Sequence, residues 1–378
     1  MTRLLVIDHN AARAFDRGLY AALHREGISQ TTVIAPVSWM EMGMVTKFEQ
    51  STDGCSATSL KALFRGKHQR VLYLHLSQVV RSCDPDIVLC NAEPENLLAF
   101  QVARIQRLLS RKFKLVLVSW RNIDCQSEGY PYKLAFVHRM IERSVLQSVD
   151  SIIAHTSASK EIYRMHGFDR VTEIPPAVDC SLFTPTDSPR PEAGSPFMIG
   201  YAGRLTDLKG GDLLLRALSK LPPHCSLTMI GAGERERTWR NAANELHIAD
   251  RVHWHGPVPH SSMPNALRSL DVLVLPSRTG KRWKEQFGRI LIEAMACGVP
   301  VIGSSSGEIP LVVDGCGEVF PEGDEHALAE TIRSLQSDAE RRRELTRRGL
   351  ERVRSTFSFE AVMPLYRLLF EQLTGKQS

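Results

Sequence analysis

Two glutamates eight positions apart, Glu285 and Glu293, bracket a Phe287-Gly288 pair in the stretch EQFGRILIE. Behind them runs ILIEAMACGVPVIGSSSGEIP, whose spacing predicts a short helix, a glycine stop and a buried strand. A helix opening between two carboxylates suits a ligand that carries both hydroxyls and phosphate. Its N-terminus offers unpaired backbone N–H groups and a positive dipole end to the phosphate. Ionised carboxylates only accept hydrogen bonds, so they hold hydroxyl protons. That combination is the chemistry of a nucleotide-sugar. Glu293 stands between Ile292 and Ala294 in a nearly continuous apolar run. A carboxylate buried there needs a partner, and a ribose diol is a natural one. Gly203-Arg204, ending an expected strand, and Lys209-Gly210, opening an expected helix, put two cations and flexible backbone at one edge of the same domain.

The elements that must position these groups follow from periodicity. Residues 3–8, RLLVID, form a continuous apolar run ending in polar turn residues, as a strand buried on both faces does. A helical pattern in Phe15, Leu19 and Leu23 follows, then the strand TTVIAP. LKALFRGKHQ reads as helix or loop and RVLYL as a strand. DIVLC, KLVLVSW and SIIAHTS are further strands, separated by the helical segments ENLLAFQVARIQRLLS and KLAFVHRMIERSVLQSV. Strands alternating with helices imply an open, mostly parallel sheet covered on both faces.

Residues 179–196, DCSLFTPTDSPRPEAGSP, are dense in proline, serine and small residues and read as a linker. The alternation restarts with FMIGYAGR and continues through CSLTMIG, VHWHG, DVLVLPS, VPVIGS and EVFPEG. The tail from HALAETIRSL onward is helical by period, with Phe357, Phe359, Val362, Leu365, Leu368 and Leu369 as an apolar stripe. The expected organisation is an N-terminal Rossmann-like domain over residues 1–185, a second over 196–354, and a C-terminal helix, 355–378, that crosses back to the first domain. Strand C-termini of both domains are expected to face a central cleft, where open α/β sheets bind ligands.

Composition adds limits. The 378 residues are 43% hydrophobic and 24% charged, ordinary for a globular protein. A net charge of +5 is too mild to argue for nucleic acid as a partner. No apolar run reaches the roughly 18 to 20 residues that span a bilayer, and MTRLLVIDHN is too soon interrupted by Asp8 for a signal peptide, so a cytoplasmic location is expected. The 8 cysteines are scattered singly, without a CxxC pair or a histidine at zinc-ligand spacing.

Taken together, GYAGRLTDLKGGDLLLRAL, VHWHGPV, DVLVLPSRTGKRWKEQFGRILIEAMACGVPVIGSSSGEIP and FPEGD resemble, in order and spacing, the family 4 retaining glycosyltransferases of the GT-B fold. The resemblance covers residues 198–330; over residues 1–185 it is mainly architectural. It implies that Arg204 and Lys209 hold the donor diphosphate and stabilise the charge developing on it. Glu285 would contact the donor sugar's hydroxyls and Glu293 the ribose. Backbone amides of Phe287 and Gly288 would meet sugar or phosphate, Gly203 would line the phosphate edge, and the main chain near Val258 would meet the base. It further implies front-face transfer without an enzymic nucleophile, catalytic metal or cofactor, the nucleotide-sugar being a substrate. Asp84-Pro85-Asp86 has the outline of the metal-binding Asp-x-Asp motif of a different glycosyltransferase fold, but it precedes its strand and reads as a turn.

On the acceptor side the sequence departs from the family. The first βα loop reads Asp8-His9-Asn10-Ala11-Ala12-Arg13 where relatives carry a glycine pair, and Ser119-Trp120-Arg121-Asn122 stands where many carry a histidine. Asn10, Glu93, Trp120 and Arg121 are the acceptor-side candidates, although Trp120 also suits a core cap. The expected partners are a nucleotide-sugar donor and a glycan, lipid-linked or small-molecule acceptor. Two basic stretches, Lys61-Arg65-Lys67-Arg70 and Arg104-Arg107-Arg111-Lys112-Lys114, suit either an ordinary solvated face or peripheral contact with an anionic membrane. A nucleotide-sugar epimerase and a non-catalytic nucleotide-sugar-binding protein remain alternative readings.

Overall fold

The computed structural model describes residues 1–41, 44–50, 54–124, 127, 130, 135–186 and 196–376. Cys125 and residues 187–195, half of the expected linker, lie outside the described residues. The chain forms two compact units, Met1–Ala177 with Phe359–Ser378, and Val178–Ser358. The two chain crossings are tied side by side within the second unit, where Val178 bridges Ser358 in parallel.

The first unit is a seven-stranded sheet. Its spatial order is Val171–Glu173, Ser151–Ala154, Lys114–Ser119, Ile87–Cys90, Thr2–Ile7, Ser29–Pro36, Ser56–Leu60, and every neighbouring pair is parallel. The chain starts at a central strand, winds to one edge, returns and winds to the other, which is the doubly wound order. Because strand side chains alternate, the sheet's two faces feed two cores. Leu5, Ile7, Val88, Cys90, Leu115 and Leu117 face one. Leu4, Val6, Ile87, Leu89, Val116 and Val118 face the other. The first core is closed by helices Leu76–Cys83, Leu97–Leu108, Ala135–Leu146 and Ser157–Met165. Helix Gly18–Arg25 and the last helix, Phe359–Thr374, close the second through Leu23, Val362, Tyr366, Leu369 and Phe370.

One expected strand is displaced. RVLYL contributes only Leu72–Tyr73, paired antiparallel with Ala62–Leu63 outside the main sheet. The third strand of the sheet is instead Ser56–Leu60, a polar edge strand that buries no residue completely. An edge strand with one wet side lacks the apolar run by which buried strands announce themselves. RVLYL is apolar because Val71 and Tyr73 fill the core from this short outlying pair and the residue before it.

In the second unit all six expected strands form. Their spatial order is Val252–Gly256, Cys225–Ile230, Phe197–Ala202, Val272–Leu275, Val301–Ser304, Glu318–Phe320, again wholly parallel. Cys225–Ile230, Val272–Leu275 and Val301–Ser304 are buried at every residue. The order reverses between Phe197–Ala202 and Val272–Leu275, so the loops after these two strands flank the switch point at which such sheets bind ligands. The expected continuous helical tail is divided: Glu325–Ser337 and Ala339–Arg352 are separated by Asp338, and Val353–Phe357 forms a wider π turn before Phe359–Thr374. Among the described residues no helix is long and apolar enough to cross a membrane.

We predict that Phe370→Ala, which empties a fully buried ring site in the second core of the first unit, costs about 3–5 kcal/mol. Urea unfolding measures it, and an unchanged midpoint would mean that the last helix does not contribute to that core.

Candidate functional site

Within the second unit, the loop after Phe197–Ala202 carries Gly203, Arg204 and Lys209 and leads into helix Gly211–Ser219. The loop after Val272–Leu275 carries Ser277 and the turn to Glu285, Phe287 and Gly288, and leads into helix Arg289–Ala296. Neither helix has a side-chain N-cap, whereas Asp324 and Asp338 cap Glu325–Ser337 and Ala339–Arg352. The two helices at the switch point thus keep N–H groups that Glu325–Ser337 and Ala339–Arg352 spend on their caps; Glu236–Glu245, Met263–Arg268 and Ile309–Val313 elsewhere in the unit keep theirs too.

Between them lies a largely buried ion pair. Lys209 Nζ donates to Glu285 Oε2 at 2.6 Å. The same oxygen accepts from Ser277 Oγ at 2.6 Å, and Ser304 Oγ at the end of the next strand donates to Ser277 O at 2.5 Å. The carboxylate therefore joins the loops that carry Lys209 and Ser277, and the Ser277 carbonyl carries the connection on to Ser304. The Lys209 ammonium also sits 5.0 Å from the centroid of the Trp283 ring, which is held there by a tight turn in which Gly280 N donates to Trp283 O at 2.7 Å. Lysine has three N–H donors, so the contact with Glu285 leaves capacity for an anion. Arg204 is exposed, and among the described residues its guanidinium makes no hydrogen bond or ion pair. Its backbone is fixed by Tyr201 Oη, which donates to Arg204 O at 2.6 Å.

The backbone around Glu285 needs glycine at two points. Gly307 has φ +56°, and a Cβ there would stand 2.0 Å from Glu285 O. Gly288 has φ +83°, and a Cβ there would meet Leu275 Cδ2 at 2.7 Å, so its lack of a side chain serves packing as well as any ligand approach. The Phe287 ring is buried and meets Phe357 edge-on at 5.5 Å. Ser304, Ser306 and Glu308 of the expected polar turn are all buried beside this carboxylate, with Glu308 N donating to Glu285 O at 3.2 Å.

Glu293 is buried and has a protein partner that its sequence context did not reveal. His260 Nε2 lies 3.1 Å from Glu293 Oε1. Among the described residues Oε2 takes no hydrogen bond, so one oxygen is anchored and one remains to accept. His260 follows half-buried Val258 in the loop after Val252–Gly256 and packs edge-on against Phe183 at 5.5 Å. Ser277 and His260 are neighbours of the two glutamates that sequence reasoning missed. For Ser277 the signal was its place at the end of a buried strand, whereas His260 lies far from Glu293 in sequence.

In the first unit the acceptor-side candidates separate. Asn10 is exposed, with its N–H donated to Asp8 Oδ1 at 2.9 Å. Arg121, expected as a contact for an acceptor, is buried in an internal network, pairing with Glu95 and, at 2.6 Å, with Glu142, and lying over the Tyr163 ring. A guanidinium shared by two buried carboxylates is internal charge compensation and not an outward hand. Glu93 accepts from Ser119 Oγ at 2.6 Å, Trp120 N at 2.7 Å and Tyr163 Oη at 3.0 Å. It therefore ties the ends of two strands together, and three of its acceptor sites are already occupied. Trp120 is half-buried against the His155 ring, with centroids 4.2 Å apart. Asp84 and Asp86 lie at the start of strand Ile87–Cys90 and pair with Arg3 and Arg111. Burial alone would raise Asp86, but hydrogen bonds from Lys376 and Arg3 outweigh it and hold the group well below the usual carboxylate range.

Residues 185–352 match the family described as Glycosyl transferases group 1. The chain is 31% identical over 269 residues to D-inositol 3-phosphate glycosyltransferase of Stackebrandtia nassauensis, a match covering 65% of this chain and 59% of that protein. It spans about half the length of the curated relatives it matches. Sucrose-phosphate synthase (tll1590) from Thermosynechococcus elongatus shares the fold with a TM-score of 0.74 at 22% identity, covering 99% of this chain and 100% of that one. Anabaena Alr3699/HepE, solved in complex with UDP, gives 0.72 at 16% identity and covers 100% of both chains. The fold is thus GT-B, with two Rossmann-like parallel sheets.

Burial raises the Glu93 carboxyl to about 7, with the Glu95 charge adding to the rise and Arg121 opposing it. A value higher in the folded than in the unfolded chain means that this group's stabilisation is full below the ordinary carboxylate range and is lost as pH rises through about 7. We predict that Glu93→Gln flattens the dependence of the urea midpoint on pH between about pH 5 and about pH 8. A slope equal to that of the parent protein would contradict the assignment.

Proposed function

We propose that this chain is a retaining glycosyltransferase that moves a sugar from a nucleoside diphosphate donor to a hydroxyl of a glycan, lipid-linked or small-molecule acceptor. The observation that carries the reading is the largely buried Lys209–Glu285 pair, joined to Ser277 and set between two uncapped helix N-termini at the switch point of the second sheet. A cation with spare donors beside open helix ends is built for phosphate. A carboxylate held rigid by two donors is built to orient a hydroxyl-bearing sugar.

In this reading Lys209 and Arg204 bind the diphosphate, Gly203 and the backbone at Phe287 and Gly288 complete the phosphate and sugar edge, and Glu285 receives sugar hydroxyls. Glu293, anchored through Oε1 by His260, receives the ribose diol on Oε2, with the base along the main chain near Val258. As the bond from the anomeric carbon to the phosphate oxygen breaks, negative charge gathers on the leaving diphosphate. The two cations and the helix ends stabilise it electrostatically. The acceptor oxygen bonds to the same face of the anomeric carbon, its proton passes to the departing phosphate, and configuration is retained. Charge stabilisation supplied by side chains leaves no step that calls for a metal ion. In the first unit Arg121 and Glu93 act as positioning residues behind the loops that carry Asn10 and Trp120. The reading places the enzyme in the cytoplasm, in the assembly of a polysaccharide or glycoconjugate. A structural neighbour solved with UDP and relatives named for an inositol phosphate make UDP-sugars and polyol phosphates the first probes.

A donor panel screened by thermal shift should give stabilisation by the cognate nucleoside diphosphate sugar, following RT ln(1 + [L]/Kd). Lys209→Ala and Glu285→Gln should each lower kcat about 10²–10³-fold in variants that stay folded, and a chelator should leave the rate unchanged. Full activity in both variants would overturn the assignment. Donor turnover that needs no acceptor would indicate an epimerase or hydrolase instead.

A further inference from the structure

The C-terminal edge of the first sheet carries a feature that donor chemistry does not use. Strands Ser29–Pro36 and Ser56–Leu60 end side by side there, with Val37 N donating to Leu60 O at 3.0 Å. Each is followed by an excursion containing a short antiparallel pair, Ser38–Glu41 with Met44–Lys47 and Ala62–Leu63 with Leu72–Tyr73. The two excursions touch. Arg65 donates to Ser38 Oγ at 2.5 Å, and a Cβ on Gly66 would stand 2.5 Å from Met40 O.

The side chains presented there do not suit an ordinary wet surface. Val37, Met40, Val45, Leu63, Phe64 and Leu74 are all exposed, with Phe64 56% and Val45 55% accessible. Met40 and Val45 are cross-strand partners, so they stand on one face. Phe64 lies at φ +55°, a left-handed conformation that is costly for a bulky residue. Around these apolar tips stand Lys47, Lys61, Arg65, Lys67 and Arg70, and among the described residues none of them forms an ion pair. The nearby Glu49 is engaged at Ala14 N, 2.9 Å away.

The other basic stretch is different in kind. Arg111 is paired with Asp84 and Asp86, and Lys114 with Asp150 at 3.0 Å. Lys112 donates to the carbonyls of Gln106 and Arg107, and Arg107 reaches across to Ser144 and to Ser148 at 2.8 Å. The groove of about 710 Å³ that these residues line is therefore bonded largely to its own chain.

We infer that the paired excursions, residues 37–41 with 44–47 and residues 61–74, form a membrane-docking surface whose partner is an anionic lipid bilayer. Apolar tips enter the interfacial region while the unpaired cations meet lipid phosphates. Charge complementarity selects this occupant: a second copy of the same surface would set cation against cation. The placement on the ligand-binding edge of the sheet also brings a lipid-borne hydroxyl to the side of this unit where open α/β sheets receive their ligands.

Co-sedimentation of the full chain with phosphatidylcholine vesicles, with and without phosphatidylglycerol, tests the inference without any donor or acceptor. Binding is expected only to the phosphatidylglycerol vesicles and should weaken with salt. Lys61→Gln, Lys67→Gln and Arg70→Gln should each lower partitioning about fivefold. Phe64→Asn, which tolerates the left-handed backbone, combined with Met40→Ser should lower it about tenfold or more. Arg104→Gln, in the other basic stretch, should leave it unchanged, and circular dichroism should match the parent in every variant. Four results would overturn the inference: no vesicle binding, equal binding to neutral vesicles, binding insensitive to the excursion variants, or RNA displacing the vesicles while the Phe64 and Met40 changes have no effect.

Discussion

A lysine and a glutamate held 2.6 Å apart at a buried loop junction are the constraint on which the second unit depends. Removing two charges from water is expensive, and a pair of this kind seldom stabilises a protein better than packed hydrocarbon would. Its presence therefore asks for a reason beyond folding. The surroundings supply one: Ser277 holds the carboxylate and is itself tied to the next strand by Ser304, Trp283 lies against the ammonium, and the two flanking helices start without side-chain caps. Each feature is unremarkable alone. Together they make a preorganised, partly satisfied electrostatic site that an anionic, hydroxyl-rich ligand would complete.

The fold makes that junction possible through the parallel sheet. Strands buried on both faces cannot end in polar groups except at their tips, so the chain's chemistry gathers where the strands stop. The first unit follows the same rule to a different end. The loops at its strand ends hold Glu93, Glu95 and Arg121 in a network turned inward, joined by Glu142 from helix Ala135–Leu146, and its outer excursions carry the exposed apolar and cationic residues. One architecture thus gives one unit a charged loop junction at its switch point and the other an internally braced platform with an exposed apolar and cationic rim.

Much of this was legible in the sequence, and the parts that were not have physical causes. The buried strands of both sheets announced themselves as apolar runs, and the alternation with helices gave the doubly wound class. Ser56–Leu60 did not, because a polar edge strand has no such run. Glu285, Lys209 and Arg204 could be singled out from motif and spacing, but the direct contact between Lys209 and Glu285 spans seventy-six positions, a separation that local pattern cannot bridge. Glu293 was correctly read as a carboxylate in need of a partner, yet His260 became visible only once the loops were folded together. Arg121 was misplaced for a related reason: a cation at a strand end looks outward in sequence, and only the positions of Glu95 and Glu142 turn it inward.

The central claim is that Lys209 is a phosphate-binding cation held ready by Glu285, and titration calorimetry with UDP and with uridine tests it most directly. The diphosphate should bind far more tightly than the nucleoside, and Lys209→Met should remove most of that difference while leaving nucleoside binding as it was. Equal affinity for the two ligands, or a diphosphate preference that survives Lys209→Met, would show that the pair serves the fold and not the ligand.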